Sequence, residues 1–249
     1  MRIAIISDIH EDIIRLTKAM SLIEKKNIDE IVCLGDIVGF YIPYYKYQST
    51  RNAGECIRII QENCNIVVAG NHDFFETGRI PDISSGFNYP DDWYLLDYSE
   101  RKMLAEGKIW LHEENTLQSL ISKKEKQFLH DLPEYKTAHF DDINILFSHF
   151  IHPDIIGARS DFYMKPGCFD SHLEFMKYND CELSFSGHAH VQGVTSFSEK
   201  GIKFKSFGKT KIRNSIQGFL GPCIAKGMQS NGFIILDTKN MELDIVRIR

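Results

Sequence analysis

The sequence predicts an α/β fold in which short apolar strands form a buried, largely parallel sheet. Two observations carry that expectation. β-Branched runs alternate with segments of helical period from the first residues onward, and five of the apolar runs end in a cluster of Asp, Asn or His. A third observation bounds it: 249 residues suit one α/β domain as well as two, and a chain this long buries roughly 70 to 75% of its unfolded surface without help from a metal or cross-link. Any metal is therefore expected to serve chemistry.

The elements follow in order. Residues 2–7 read as a strand, and after the turn at Glu11 and Asp12 the apolar positions Ile13, Leu16, Met20 and Ile23 recur at helical spacing. Residues 31–34 form a second strand closing in Gly35-Asp36. Beyond an aromatic loop from Phe40 to Tyr47, residues 53–63 read as a helix, and 66–69 as a strand ending in Gly70-Asn71-His72-Asp73. From 77 to about 115 the chain carries Gly78, Pro81, Gly86, Pro90, both tryptophans and clustered acids without a period, which predicts an inserted cap or lid on a single domain spanning 1–249. A helix at 123–131, a strand at 143–147 ending in Ser148-His149, a helix at 169–178 and a strand at 183–185 ending in Gly187-His188-Ala189-His190 complete the alternation. Short strands at 194–197, 202–207, 233–236 and 243–248 predict an antiparallel or mixed second sheet, and residues 214–231 a loop.

With 29 basic and 34 acidic side chains the net charge is −5, so no global field attracts nucleic acid or an anionic membrane. The four apolar residues Ile3–Ile6 are too few for a signal-peptide core, and no run approaches a membrane span. Six cysteines without a CxxC pair predict reduced core thiols in a cytoplasmic protein rather than a zinc knuckle or disulfide framework.

Ligands of open α/β sheets bind beyond the carboxyl ends of the strands, so the five polar clusters are expected to meet on one edge. Asp8-x-His10 and His188-x-His190 have the spacing that puts both side chains on one face of extended chain. Ten histidines in 249 residues make one His-x-His pair by chance about 0.4 times. The argument for metal therefore rests on the joint pattern and not on that motif. Carboxylate, amide and imidazole without thiolate suit Mn, Fe, Zn, Co or Ni.

Asp8-Ile9-His10, Gly35-Asp36-Ile37-Val38-Gly39, Gly70-Asn71-His72-Asp73, His149 and Gly187-His188-Ala189-His190 together resemble, in order, the motifs of the calcineurin-like metallophosphoesterases. The resemblance implies a four-layer sandwich of two mixed sheets flanked by helices, with two divalent metal ions at the strand ends. It also implies that Asp8, His10, Asp36 and His190 hold the first metal and Asp36, Asn71, His149 and His188 the second, with Asp36 bridging. His72 then stands beside the leaving-group oxygen, accompanied by Asp73, for which capping a helix is the structural alternative.

The activity expected is hydrolysis of phosphodiesters or small phosphomonoesters by metal-activated hydroxide, with manganese among the candidate ions and His72, near its ordinary pKa of ~6.5, as general acid. A nuclease of the same superfamily is the alternative enzyme, opposed by the net charge and the lack of a basic stripe, so long nucleic acid is not the expected partner. A non-catalytic metal-binding interaction module, like the retromer subunit of similar fold, is the alternative outside enzymes.

Short family members usually carry Gly-Asn after the first histidine. Glu11-Asp12 stands there instead and is expected to add negative charge near an anionic ligand. The crowd of rings at 41–47 and in the cap is expected to pack the cap, with stacking on a substrate ring as the alternative. Arg51, Arg159 and Lys165 are expected at the surface, and oligomeric state is not legible.

Overall fold

Strands form where β-branched and aromatic residues run for four to six positions, and helices start where a side chain can cap them. The computed structural model describes residues 1–83, 85–160, 167–213 and 215–248. In chain order its elements are β1 (Arg2–Ile6), α1 (Ile13–Glu24), β2 (Glu30–Cys33), β3 (Phe40–Tyr41), α2 (Ala53–Asn63), β4 (Ile66–Val67), α3 (Asn71–Thr77), α4 (Tyr98–Ala105), β5 (Thr116–Leu117), α5 (Lys123–His130), β6 (Tyr135–Phe140), β7 (Ile143–Ser148), α6 (Asp170–Tyr178), β8 (Leu183–Ser186), β9 (Val194–Ser198), β10 (Gly201–Lys205), β11 (Gly208–Lys211), β12 (Gln217–Leu220), β13 (Gly232–Asp237) and β14 (Glu242–Arg247). Asp12 caps α1 by accepting from the Arg15 amide at 3.0 Å, and Asn52 caps α2 by accepting from the Glu55 amide at 3.0 Å.

One sheet has the order β11-β14-β13-β1-β2-β4, the other β10-β9-β12-β8-β7-β6. In the first, β1, β2 and β4 run parallel, and β13, β14 and β11 each pair antiparallel with their inner neighbour. In the second, β7, β8 and β12 are parallel, while β6, β9 and β10 are antiparallel additions. Both sheets are therefore mixed. The strands at 194–248 do not make a second sheet of their own, because β11, β13 and β14 extend the first.

Side-chain alternation sorts the core into three layers of contact. Ile3 and Ile5 of β1 point between the sheets with Phe147, Phe185 and Phe219, whereas Ala4 and Ile6 point outward onto α1 and α2. Leu146 of β7 faces the other way, onto Leu173 and Met176 of α6. The order helices, sheet, sheet, helix is the four-layer sandwich. Among the described residues no helix is long and apolar enough to cross a membrane.

Two local expectations change. The strand at 66–69 stops at Val67, and Asn71–Thr77 is a helix, whose N-cap amide on Gly70 donates to Asp73 Oδ2 at 3.0 Å. The region 214–231 contains β12, a four-residue strand buried between β8 and β9.

Phe185 is fully buried and stacks on Phe219 at 5.1 Å between ring centroids. Phe185→Ala is expected to cost about 3–5 kcal/mol, read as a lower urea midpoint at unchanged slope. A loss below ~1 kcal/mol would show that packing between the sheets is not what holds them.

Candidate metal centre

All five polar clusters reach one edge of the sandwich, and the backbone there is wound unusually. Asp8, His10, Asp36, His188 and His190 have φ between 46° and 60°, the left-handed region that non-glycine residues seldom occupy. These turns fold back on one another. The amides of Ile9 and His10 donate to the Asp36 carbonyl at 2.8 and 2.9 Å, the Asp8 amide donates to the Gly35 carbonyl at 3.0 Å, and the Gly187 amide donates to the His149 carbonyl at 2.8 Å. Gly35, at φ 90°, faces the Gly70 backbone so closely that a Cβ would collide with it.

Three triples of side-chain atoms lie within 4.8 Å of one another: Asp8, His10 and His190; Asp36, His149 and His188; and His10, Asp36 and His72. His190 Nε2 stands 3.1 Å from Asp8 Oδ1. His149 Nε2 is 3.3 Å from Asp36 Oδ2, and His10 Nε2 is 3.6 Å from the same oxygen. The Nδ1 atoms of His10 and His149 lie 2.8 and 2.7 Å from the carbonyl oxygens of Gly39 and Leu34. Nδ1 therefore donates and Nε2 is turned to the centre, the ring orientation a metal needs. His10 Nε2, His149 Nε2 and Asn71 Oδ1 are buried without a protein hydrogen-bond partner. Buried acceptors left open are costly unless a cation meets them. The donor set, carboxylate with imidazole and amide, fits a divalent transition metal.

The carboxylates are held as anions. Burial works to raise both, but His190 and His149 outweigh it at Asp8 and hold that carboxyl well below the usual range. At Asp36, His149, His72 and His10 do the same. Burial alone would lower His149, yet Asp36 and Asp8 raise it to about 9. His190 stays high against its burial because Cys223 and Asp8 lie beside it. Burial pushes His188 down to about 3.

Asp73 does not join these triples. Its Oδ2 accepts from the amides of Asp36 and Gly70 at 2.8 and 3.0 Å, and its Oδ1 from those of Ile37 and Val38 at 3.0 and 3.3 Å. Burial and Asp36 lift its carboxyl to about 7, against the pull of those amides. Its geometry is that of a clamp on the β2 turn. The His72 amide donates to Asp36 Oδ1 at 2.9 Å, and its ring packs against Gly39, where a Cβ would overlap it. Burial and the nearby His112 push the His72 ring well below its ordinary pKa, so the expectation of a near-neutral value does not hold.

Glu11 turns away from the centre. It is 1% exposed, accepts from Ser119 Oγ at 2.7 Å and the Gly39 amide at 3.3 Å, and pairs with Arg51 at 3.0 Å. The expected extra charge beside a ligand is therefore neutralised. Asp12 instead caps α1 and accepts from the Lys226 amide at 2.9 Å. Arg159 Nη1 donates to the Ser85 carbonyl at 3.2 Å, and Lys165 lies outside the described residues.

Between residues 77 and 115, Phe87, Tyr89 and Trp93 meet edge to face at 4.7–5.5 Å, and Phe87 and Trp93 are buried in the core that also holds α1 and α2 residues. Tyr45 packs 4.9 Å from the His10 ring. Sequence reasoning passed over His112, whose ring lies 4.3 Å from His72 and whose Nε2 is 3.4 Å from Asn71 Nδ2. A lone histidine among acids carries no signal of that contact.

The folded pKa of His149 lies above its unfolded value of 6.5, so its contribution to stability is full below 6.5 and is lost as pH rises through about 9. Burial-depressed imidazoles such as His188 act below 6.5 and leave this window clear. Chelator-treated protein is expected to melt lower at pH 9 than at pH 6.5. Metal-loaded protein, in which a cation replaces the proton, is expected to lack that fall. Equal slopes in thermal melts of both forms would contradict the assignment of His149 to the centre.

Comparison with known proteins agrees with this geometry. Residues 1–192 match the pattern of the calcineurin-like phosphoesterases. The chain is 28% identical to the uncharacterized protein MJ0912 of Methanocaldococcus jannaschii over 253 aligned residues, covering 99% of this chain and 86% of that one. Its fold resembles a metallophosphoesterase of Sphaerobacter thermophilus, with TM-score 0.64, 20% identity and coverage of 100% and 88% of the two chains. It also resembles the protein PH1004 of Pyrococcus horikoshii, with TM-score 0.60, 14% identity and coverage of 100% and 88%. With the family pattern spanning every cluster from Asp8 to His190, the chain belongs to the calcineurin-like phosphoesterase family.

Proposed function

We propose that the chain is a phosphoesterase that hydrolyses phosphodiesters or small phosphomonoesters at a pair of divalent metal ions. The observation that carries this reading is the juxtaposition of two triples, Asp8-His10-His190 and Asp36-His149-His188, with His149 Nε2 3.8 Å from Asp8 Oδ1 and 3.3 Å from Asp36 Oδ2. Asp8, His10, Asp36 and His190 would hold one ion, and Asp36, Asn71, His149 and His188 the other. Such ions, when bound, would supply Lewis acidity to the attacking and leaving oxygens of the ester and activate water as a nucleophile near neutral pH.

The residues of the chain orient this chemistry. Gly39 and Leu34 carbonyls fix the rings of His10 and His149, and the Asp73 clamp fixes the turn that presents Asp36. His72, tied by its amide to Asp36 Oδ1, gives a proton from its ring to the departing alkoxide. A bound phosphate anion raises the ring from its depressed value, as any nearby negative charge does.

Asp36→Ala is expected to abolish turnover and lower metal content. His72→Ala is expected to keep its metal, measured by elemental analysis, and to lose about 10²–10⁴-fold in kcat on esters with poor leaving groups. Full activity of His72→Ala on such esters would remove the general-acid role, and loss of its metal would make His72 a ligand. A panel of mono- and diesters assayed with Mn, Fe, Zn, Co and Ni tests the reaction class itself.

A further inference from the structure

The outermost strands of the two sheets, β10 and β11, lie on the same side of the sandwich, and an open cleft of about 320 Å³ separates them. Its lining includes Lys200, Lys203, Lys205, Lys211 and Arg213 and, among the described residues, no carboxylate. The chain from 200 to 213 holds six cations and no acid, although the whole carries −5. The expected lack of a basic stripe therefore does not hold. Averaging over the chain conceals it, and the strand pairing assembles it from two different sheets. Lys209 and Lys211 reach Glu242 at 3.2 and 3.5 Å, while Lys200, Lys203, Lys205 and Arg213 have no ion pair among the described residues.

Lysines on edge strands commonly guard a sheet against pairing with another chain. That role accounts for Lys209 and Lys211. It does not require like charges to face one another across a concave wall, where they repel until an anion enters. Nor does it account for Phe204, 60% exposed between Lys203 and Lys205. A cationic groove with an exposed ring among its cations is the combination that tracks a sugar-phosphate backbone and stacks a base. A concave surface suits a strand better than a lipid plane.

The register gives the groove a direction. Lys205 pairs with Val194, four residues beyond His190, a distance the chain spans in at most ~14 Å. The upper end of the cleft therefore opens toward the edge that bears the metal centre.

We propose that the cleft between β10 and β11 binds single-stranded polynucleotide, whose chain then extends to the metal centre as substrate. The second half of this inference rests on the phosphoesterase reading, whereas the binding does not. The test is fluorescence anisotropy of a labelled phosphorothioate oligothymidylate with metal-loaded full-length protein across a salt series. It is paired with hydrolysis of bis(4-nitrophenyl) phosphate. Wild type is expected to bind with a log–log salt slope near −3, about −0.7 for each of four cations. Lys200→Glu, Lys203→Glu, Lys205→Glu and Arg213→Glu combined are expected to weaken binding more than tenfold and leave small-diester turnover unchanged. Phe204→Ala is expected to weaken binding severalfold with the slope preserved. Oligonucleotide binding that is absent, or indifferent to the charge reversal, overturns the proposal. So does binding to phosphatidylserine vesicles in place of oligonucleotide. Failure to hydrolyse the small diester with binding intact would count against the phosphoesterase reading alone.

Discussion

Two carboxylates buried side by side govern this structure. Asp8 is wholly buried and Asp36 is 2% exposed, and among the described residues neither has a lysine or arginine as its partner. Removing two anions from water is costly, and here the compensation comes from imidazoles and backbone amides brought from distant parts of the chain. The amides of His188 and His72 donate to Asp8 and Asp36, and His149 and His190 stand beside them. Those partners sit at the ends of β4, β7 and β8. Alignment of the two sheets along one edge is thus an electrostatic requirement as well as a packing result.

Left-handed backbone at five ligand positions follows from the same demand. A strand that continued straight would carry Asp8 and Asp36 past each other. A turn at φ near 50° points each side chain back over the sheet edge, at about 1–2 kcal/mol per residue for a side chain other than glycine. Such conformations persist because surrounding contacts determine them. The Asp73 clamp ties the β2 turn to α3, and the Glu11 latch joins the β1 turn to Ser119 and Arg51. Glu11 in place of a small residue is therefore a fastening between the centre and the chain beyond the cap. The backbone of the centre is set by groups that never approach a substrate.

Most of the sandwich was legible because its strands are uniformly apolar and its helices strongly periodic. Helix α2 falls on the expected residues 53–63, and the clusters at Asp8, Asp36, Asn71, His149 and His188 sit where strand ends predict. What escaped depended on contacts distant in sequence. Helix α3 starts inside a motif read as strand end, and its Asp73 serves to bind the amides of Asp36, Ile37 and Val38, more than thirty residues away. Strand β12 is short and follows a polar stretch, so only β8 and β9 on either side of it make it a strand. Sorting of the last strands between two sheets has no local code, and the cationic cleft they form was hidden for that reason.

Imidazoles of two kinds surround the carboxylates of Asp8 and Asp36. His149 is raised above neutrality by Asp36 and Asp8, and His190 by Cys223 and Asp8, so protons there offset the buried negative charge. His10 and His188, pushed down by burial, remain neutral with lone pairs available. Charge is thus placed where the two carboxylates are nearest, and open acceptors lie around it. A cation entering such a site displaces protons and gathers ligands already in position. The strain in the left-handed turns is incurred on folding and not on binding. Rigidity of this kind costs stability on folding, and it leaves the centre little freedom to lose when a divalent ion binds.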